Sequence, residues 1–102
     1  MDLNKSAPAG AARRLARVFK VLSVDTRVRI ISLLKRRSLC VTALAHALGI
    51  SPAAVSQHLR ILRDAELVTA DKRGYFVHYR LNHKRLAAWR HAADSVLRPD
   101  KG

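Results

Sequence analysis

One cysteine, seven acidic residues and the lack of a long apolar run set the first limits on this 102-residue chain. Cys40 stands alone, so no internal disulfide framework exists, which fits a reducing, cytoplasmic setting. Met1 to Gly10 is polar and carries Asp2 and Lys5. It reads as neither a signal peptide nor a membrane span, but as a disordered lead-in over residues 1–10. There is no glycine-rich phosphate loop. The lone cysteine and scattered histidines show no nucleophile–base spacing, and no pair of carboxylates converges, so nothing points to an enzyme. No internal repeat and no second domain is visible.

Positive charge is what the chain has in excess. Lys plus Arg is 20 against 7 for Asp plus Glu, a formal charge of +13. Self-repulsion of that size opposes a compact monomer unless something anionic binds it. Nucleic acid is the first candidate and an anionic membrane surface the second. The basic residues are spread along the whole chain and form no single polybasic run, which argues against a membrane-anchoring tail. The length suits one domain, over residues 11–98. A domain this small buries a modest fraction of its surface, so dimerisation would be a useful source of further burial.

Hydrophobic periodicity places the elements. Ala11, Ala12, Leu15, Val18, Phe19 and Leu22 recur at helical spacing, with Arg13, Arg14, Arg17 and Lys20 on the other side. This predicts a first helix over 11–22. Asp25 is the predicted N-cap of a second helix, residues 26–36, whose apolar residues Val28, Ile30, Ile31, Leu33 and Leu34 cover most of its circumference. A third, short helix (41–48) stops at Gly49, which suits a left-handed cap. Ser51 then caps a fourth helix, with Pro52 in its first turn and Val55, Leu59 and Leu62, helped by Ile61, as its buried stripe. After Glu66 the period changes to that of strands. Residues 67–70 and 75–81 are strand-like, with Tyr75, Val77, Tyr79 and Leu81 on one face and the turn Asp71-Lys72-Arg73-Gly74 between them. Two strands alone are marginal, so the hairpin must lean on the helices. Asn82 caps a last helix, 83–97, with Leu86, Trp89, Ala93, Val96 and Leu97 as its apolar face; Pro99 ends it.

The predicted fold is therefore mainly α with a small β-hairpin. It is a winged helix-turn-helix, with the helix-turn-helix at 41–65, the wing at 67–81 and helices added at both ends. The fourth helix is the informative one. With Val55, Leu59 and Leu62 buried, its outward stripe is Ala53, Ser56, Gln57 and Arg60. Small polar residues and an arginine suit the floor of a DNA major groove, where short side chains let a helix come close. Gln57 can pair bidentately with adenine, Ser56 can meet a base edge or phosphate, and Ala53 a thymine methyl group. Arg60 can take guanine or phosphate. Ser51 and Thr42, near helix N-termini, suit phosphate oxygens. Lys72 and Arg73, at the wing tip, are placed to reach an adjacent minor groove or backbone. Arg13, Arg14 and Arg90 read as solvated surface charges. His58, beside the buried stripe, reads as a packing or hydrogen-bonding histidine.

The chain resembles the ArsR-type (ArsR/SmtB) family of bacterial repressors. The resemblance covers roughly Leu22 to Asn82. Its matching parts are Leu22-Ser23-Val24-Asp25-Thr26-Arg27, Leu39-Cys40-Val41, Leu48-Gly49-Ile50-Ser51, Val55-Ser56-Gln57-His58-Leu59 and Gly74 to Leu81. One departure is Glu66, where the family usually has glycine at positive φ. The resemblance implies a homodimer joined through the terminal helices, here 11–22 and 83–97, with Leu15, Val18, Phe19, Leu86, Trp89, Ala93 and Val96 in the seam. The alternative for the last helix is that it folds back onto its own domain. Double-stranded DNA with a palindromic operator is the implied partner, with no membrane.

The family often senses metals or metalloids through one of two ligand sets. The first is Cys-Val-Cys at the start of the third helix; here that place reads Cys40-Val41-Thr42, and one thiolate cannot build a three-thiolate cage. The second lies on the last helix, and the matching positions are His83, Arg85, Val96 and Pro99, of which three cannot serve as ligands. His83 and His91, with Asp94 on the same face as His91, leave a symmetric site between subunits as an alternative to a plain polar face. Cys40, near Arg36 and Arg37, reads either as a redox or thiol switch or as a small buried apolar residue. No cofactor is required, and the effector stays unassigned. A winged-helix module that binds protein or structured RNA without choosing a base sequence is the competing reading.

Overall fold

The computed structural model describes residues 9–100. The predicted lead-in falls largely outside the described residues; its last two, Ala9 and Gly10, belong to the first helix. The elements are α1 (Ala9–Leu22), α2 (Asp25–Leu34), β1 (Leu39–Cys40), α3 (Val41–Leu48), α4 (Pro52–Asp64), β2 (Val68–Arg73), β3 (Phe76–Leu81) and α5 (His83–Leu97). This is the winged helix-turn-helix order, with one strand more than the sequence showed.

Capping decides where the helices start and stop. Val24, not Asp25, holds the N-cap position of α2, and no side chain caps it. Asp25 is instead the first helical residue, where its charge complements the helix dipole. The helix ends at Leu34, short of the predicted Arg36. It is also less apolar all round than its composition suggested: Ile30, Ile31 and Leu34 are buried, but Val28 is 44% exposed. α3 ends where expected, at Gly49 with φ 68, whose N–H donates to the Ala45 carbonyl at 2.9 Å. In α4 the Ser51 hydroxyl accepts from the Ala54 N–H at 3.1 Å, and Pro52 follows in the first turn.

The exit of α4 is more elaborate. Glu66 has φ 62, the one non-glycine residue with positive φ among the described residues. Its N–H donates to the Arg63 carbonyl and the Leu67 N–H to the Leu62 carbonyl, each at 2.9 Å. This is the Schellman arrangement, sealed by Leu62 and Leu67, both fully buried. A left-handed glutamate costs about 1 kcal/mol relative to glycine. The buried Leu62–Leu67 pair and the hydrogen bonds made across this turn offset that cost.

The sheet has three antiparallel strands in the order β1-β3-β2. The two-residue β1 escaped prediction because two residues carry no periodicity. It pairs Leu39 with Tyr79 and Cys40 with His78. The hairpin register runs from Val68 opposite Leu81 to Arg73 opposite Phe76, so the tip is Gly74-Tyr75. The predicted turn at 71–74 is thus displaced: Lys72 and Arg73 lie in β2. Gly74, with φ 63, makes so short a connection possible. Core and wing meet at the sheet base, where Leu67, Val68 and Leu81 join Ile30, Leu44, Val55, Leu59 and Leu62. Burial declines along β3 toward the tip, leaving Tyr75 fully exposed. Asn82 caps α5 by accepting the Arg85 N–H at 3.2 Å.

Candidate nucleic-acid interface

Two faces of α4 have opposite characters. Val55, Leu59 and Leu62 are 0–1% exposed and fix the helix against the core. Each residue advances the helix by about 100°, which turns Ala53, Ser56, Gln57 and Arg60 to the far side. All four are exposed. Ile61, predicted to help the buried stripe, is 37% exposed and sits at the edge of this outer strip. The strip is free of bulky residues near its N-terminal end, so nothing prevents its backbone from approaching a groove floor. Ser51 and Thr42 are exposed at the first turns of α4 and α3. The Ser51 oxygen is engaged by the Ala54 N–H, but its proton is left to donate, so capping and phosphate contact are compatible.

The wing adds charge. Lys72, Arg73 and Arg80 are exposed. Arg73 lies 3.8 Å from the Asp71 carboxylate, and Arg80 Nε donates to the Thr69 hydroxyl at 3.2 Å. Alternation put Tyr75 on one face with Val77, Tyr79 and Leu81, but the strand begins only at Phe76. Tyr75 and Phe76 stand out at the tip. Three ion pairs form among the described residues, joining Asp71 to Arg73, Glu66 to Arg85 and Asp94 to Arg98. Arg60 and Lys72 take part in none, so their charge is available to an anionic partner.

His58 behaves as predicted, as a hydrogen-bonding histidine. Its Nδ1 accepts from Arg27 Nε at 3.4 Å, and Arg27 Nη1 donates to the Val21 carbonyl at 3.2 Å. No spacing rule exposes such a link, because its ends are 31 residues apart. At the other end of α4 the Glu66 carbonyl accepts from Asn82 Nδ2 at 3.0 Å, and its carboxylate pairs with Arg85. The family ligand position occupied by Arg85 is thus committed to an ion pair.

The terminal helices divide the predicted dimer residues. Leu15 and Val18 are 5% and 8% exposed, buried within the chain's own fold. They are packed within the single chain and expose little side-chain surface of their own, although both line the groove between the terminal helices. Leu86 and Trp89 are half-buried and pack against the core, while Ala93 is half-buried. Phe19 and Val96 are 43% and 62% exposed. Between α1, the end of α4 and α5 runs an open groove of about 470 Å³, floored by Leu15, Val18, Val21 and Trp89 and flanked by Arg14 and Arg17.

The candidate ligand residues are scattered. His83, His91 and Asp94 are exposed, and Asp94 is held by Arg98 at 2.7 Å and 3.0 Å. That contact competes with the proposed His91–Asp94 pairing. Cys40 is half-buried opposite His78, whose Nδ1 is buried without a hydrogen-bond partner. Among the described residues no three His, Cys, Asp or Glu side chains gather closely enough to hold a metal ion.

Comparison with known proteins agrees with this geometry. Residues 25–70 match the family described as bacterial regulatory protein, arsR family. The chain is 38% identical over 98 residues to the arsenic resistance transcriptional regulator ArsR1 of Pseudomonas putida, covering 92% of this chain and 73% of that one. It is 40% identical over 91 residues to a transcriptional repressor SmtB homolog of a Synechocystis species, covering 87% and 68%. Its fold is similar to the solution structure of the homodimeric winged helix-turn-helix DNA-binding domain of a possible ArsR-family regulator from Mycobacterium bovis, with TM-score 0.70 at 26% identity, covering 100% of this chain and 94% of that one. The chain therefore belongs to the arsR family of bacterial regulatory proteins, and it is a winged helix-turn-helix transcription regulator of that family.

Proposed function

We propose that this regulator binds a two-fold-symmetric DNA operator as a homodimer and represses transcription by occluding RNA polymerase. The observation that carries the reading is the outer strip of α4. Ala53, Ser56, Gln57 and Arg60 are all exposed on a helix whose opposite stripe, Val55, Leu59 and Leu62, is buried. Gln57 and Arg60 read base edges, Ser56 a base or phosphate, and Ala53 a thymine methyl group. Thr42 and Ser51 hold phosphates, and Lys72 and Arg73 follow the backbone beside the wing. The dimer is supported by α5, which has no buried residue along its 15, and by the exposure of Phe19, Val96 and Leu97. The Mycobacterium bovis neighbour is homodimeric.

Two recognition helices related by a two-fold axis would read half-sites about 34 Å apart, or a multiple of that. Selection from random duplexes tests this: the expected product is a palindrome with that spacing, whereas a collection without a shared motif would contradict it and favour a module that does not choose bases. The dimer needs no cofactor to bind, so affinity for the selected site should survive exhaustive dialysis against chelator. Titration with zinc, cadmium, arsenite and copper then tests for a metal effector; unchanged binding removes metal sensing by Cys40, His83, His91 or Asp94. No helix among the described residues is long and apolar enough to cross a membrane, and the proposed place of action is the cytoplasm.

A further inference from the structure

The recognition helix is held by more than its apolar face. Arg27, in the first turn of α2, reaches in two directions: Nη1 to the Val21 carbonyl in the last turn of α1, and Nε to His58 Nδ1 on α4. Both contacts are part-buried. His58 directly follows Gln57 in the chain. One guanidinium therefore joins the terminal helix, the core helix and the helix that meets DNA.

We infer that Arg27 and His58 are positioning residues, forming the joint through which α1 sets the seating of α4 on its operator. The inference rests on the reading of α4 as the recognition helix. Apolar stripes fix which side of a helix is buried, but helix packing tolerates crossing angles that scatter by about 15–20°. Base readout is less tolerant, since binding groups must be held to about 0.5 Å of their productive place. A directional contact to the middle of α4 supplies what the Val55–Leu59–Leu62 stripe does not. The guanidinium suits the task because its donors diverge in a rigid plane; a lysine ammonium is a point charge on a flexible stem. Accepting through Nδ1 requires the neutral ring with its proton on Nε2. The second bridge to α4, between Glu66 and Arg85, has side chains 61% and 43% exposed. Solvent screening makes such a pair weak, whereas the part-buried Arg27 contact acts in a lower dielectric. The joint at His58 is thus the less solvent-screened of the two.

The test measures the ratio of operator affinity to random-duplex affinity for the full chain and its variants. Arg27→Lys keeps the charge and loses the fork; His58→Leu keeps the bulk and loses the acceptor. Each should lower the ratio about tenfold, the scale of one charge-assisted hydrogen bond, and the double variant should lose no more than either alone. Random-duplex binding should hold steady, because the count of phosphate-neutralising charges is unaltered. His58→Asn, whose Oδ1 replaces Nδ1, should restore most of the ratio, while His58→Gln, whose oxygen lies where Nε2 was, should not. That polar pair decides the matter should His58→Leu fail to fold. Additive losses in the double variant would overturn the joint, as would equal behaviour of the asparagine and glutamine variants. A ratio near one for the unchanged protein would remove the recognition-helix reading, and the joint with it.

Discussion

Helices α4 and α5 are of similar length, 13 and 15 residues, yet the fold treats them differently. α4 has a finished inner face, with three residues at 0–1% exposure, and an outer face of small polar side chains. α5 has apolar residues at helical spacing and buries none of them fully. A helix whose packing is complete can give its remaining face to a ligand. A helix whose apolar face is half covered still lacks a packing partner. Under the proposed function the first condition suits a reading element and the second an assembly element, and the contrast between them is what experiment can break.

The largest effect should come from the inner face of α4. Leu59→Ala removes a side chain that is 1% exposed, and large-to-small changes at such sites cost about 2–5 kcal/mol. Denaturant unfolding should show a loss in that range, whereas Val96→Ala, on the open face of α5, should move the stability of a single chain by less than about 0.5 kcal/mol. Next comes the assembly face. Phe19→Glu together with Val96→Glu places charge on two exposed apolar residues of the terminal helices. If they lie at the centre of the seam, the dimer should weaken by about 2 kcal/mol or more, read by sedimentation across a concentration series. An unchanged dimer constant would move the seam elsewhere, for example to the groove beside Trp89.

Smaller effects belong to the outer face of α4 and to the wing. Gln57→Ala should cost about 1–3 kcal/mol in discrimination at one base position per half-site, measured as affinity for matched and mismatched duplexes. Ser51→Ala should lower stability by about 1 kcal/mol through the lost cap. Lys72→Ala should weaken binding evenly across sequences and reduce the slope of log affinity against log salt by about 1. A wing change that altered base preference instead would blur the division between reading and anchoring.

Much of this division was legible in the chain. The Gly49–Ser51–Pro52 punctuation, the Val55–Leu59–Leu62 stripe and the outward set from Ala53 to Arg60 follow from local rules of capping and period, and the structure reproduces them. What escaped was non-local. β1 is too short to carry a period, and its pairing with β3 depends on how the chain folds around it. The wing tip moved to Gly74-Tyr75 because strand register, not composition, fixes where a hairpin turns. Spacing shows that the face carrying Leu15 and Val18 is apolar without showing how far the chain's own fold covers it; within one chain they are 5% and 8% exposed. The Arg27–His58 contact joins elements with no shared pattern, so only the folded structure reveals it.

The central claim is that the face of α4 carrying Gln57 enters the major groove and reads bases there. It is tested most directly by measuring the unchanged protein and Gln57→Ala against a panel of operators in which every base pair is replaced in turn. On this account the unchanged protein discriminates at several symmetric positions. The variant becomes indifferent at one symmetric pair of them and keeps its preferences elsewhere. Identical preferences for both proteins across the whole panel would contradict it.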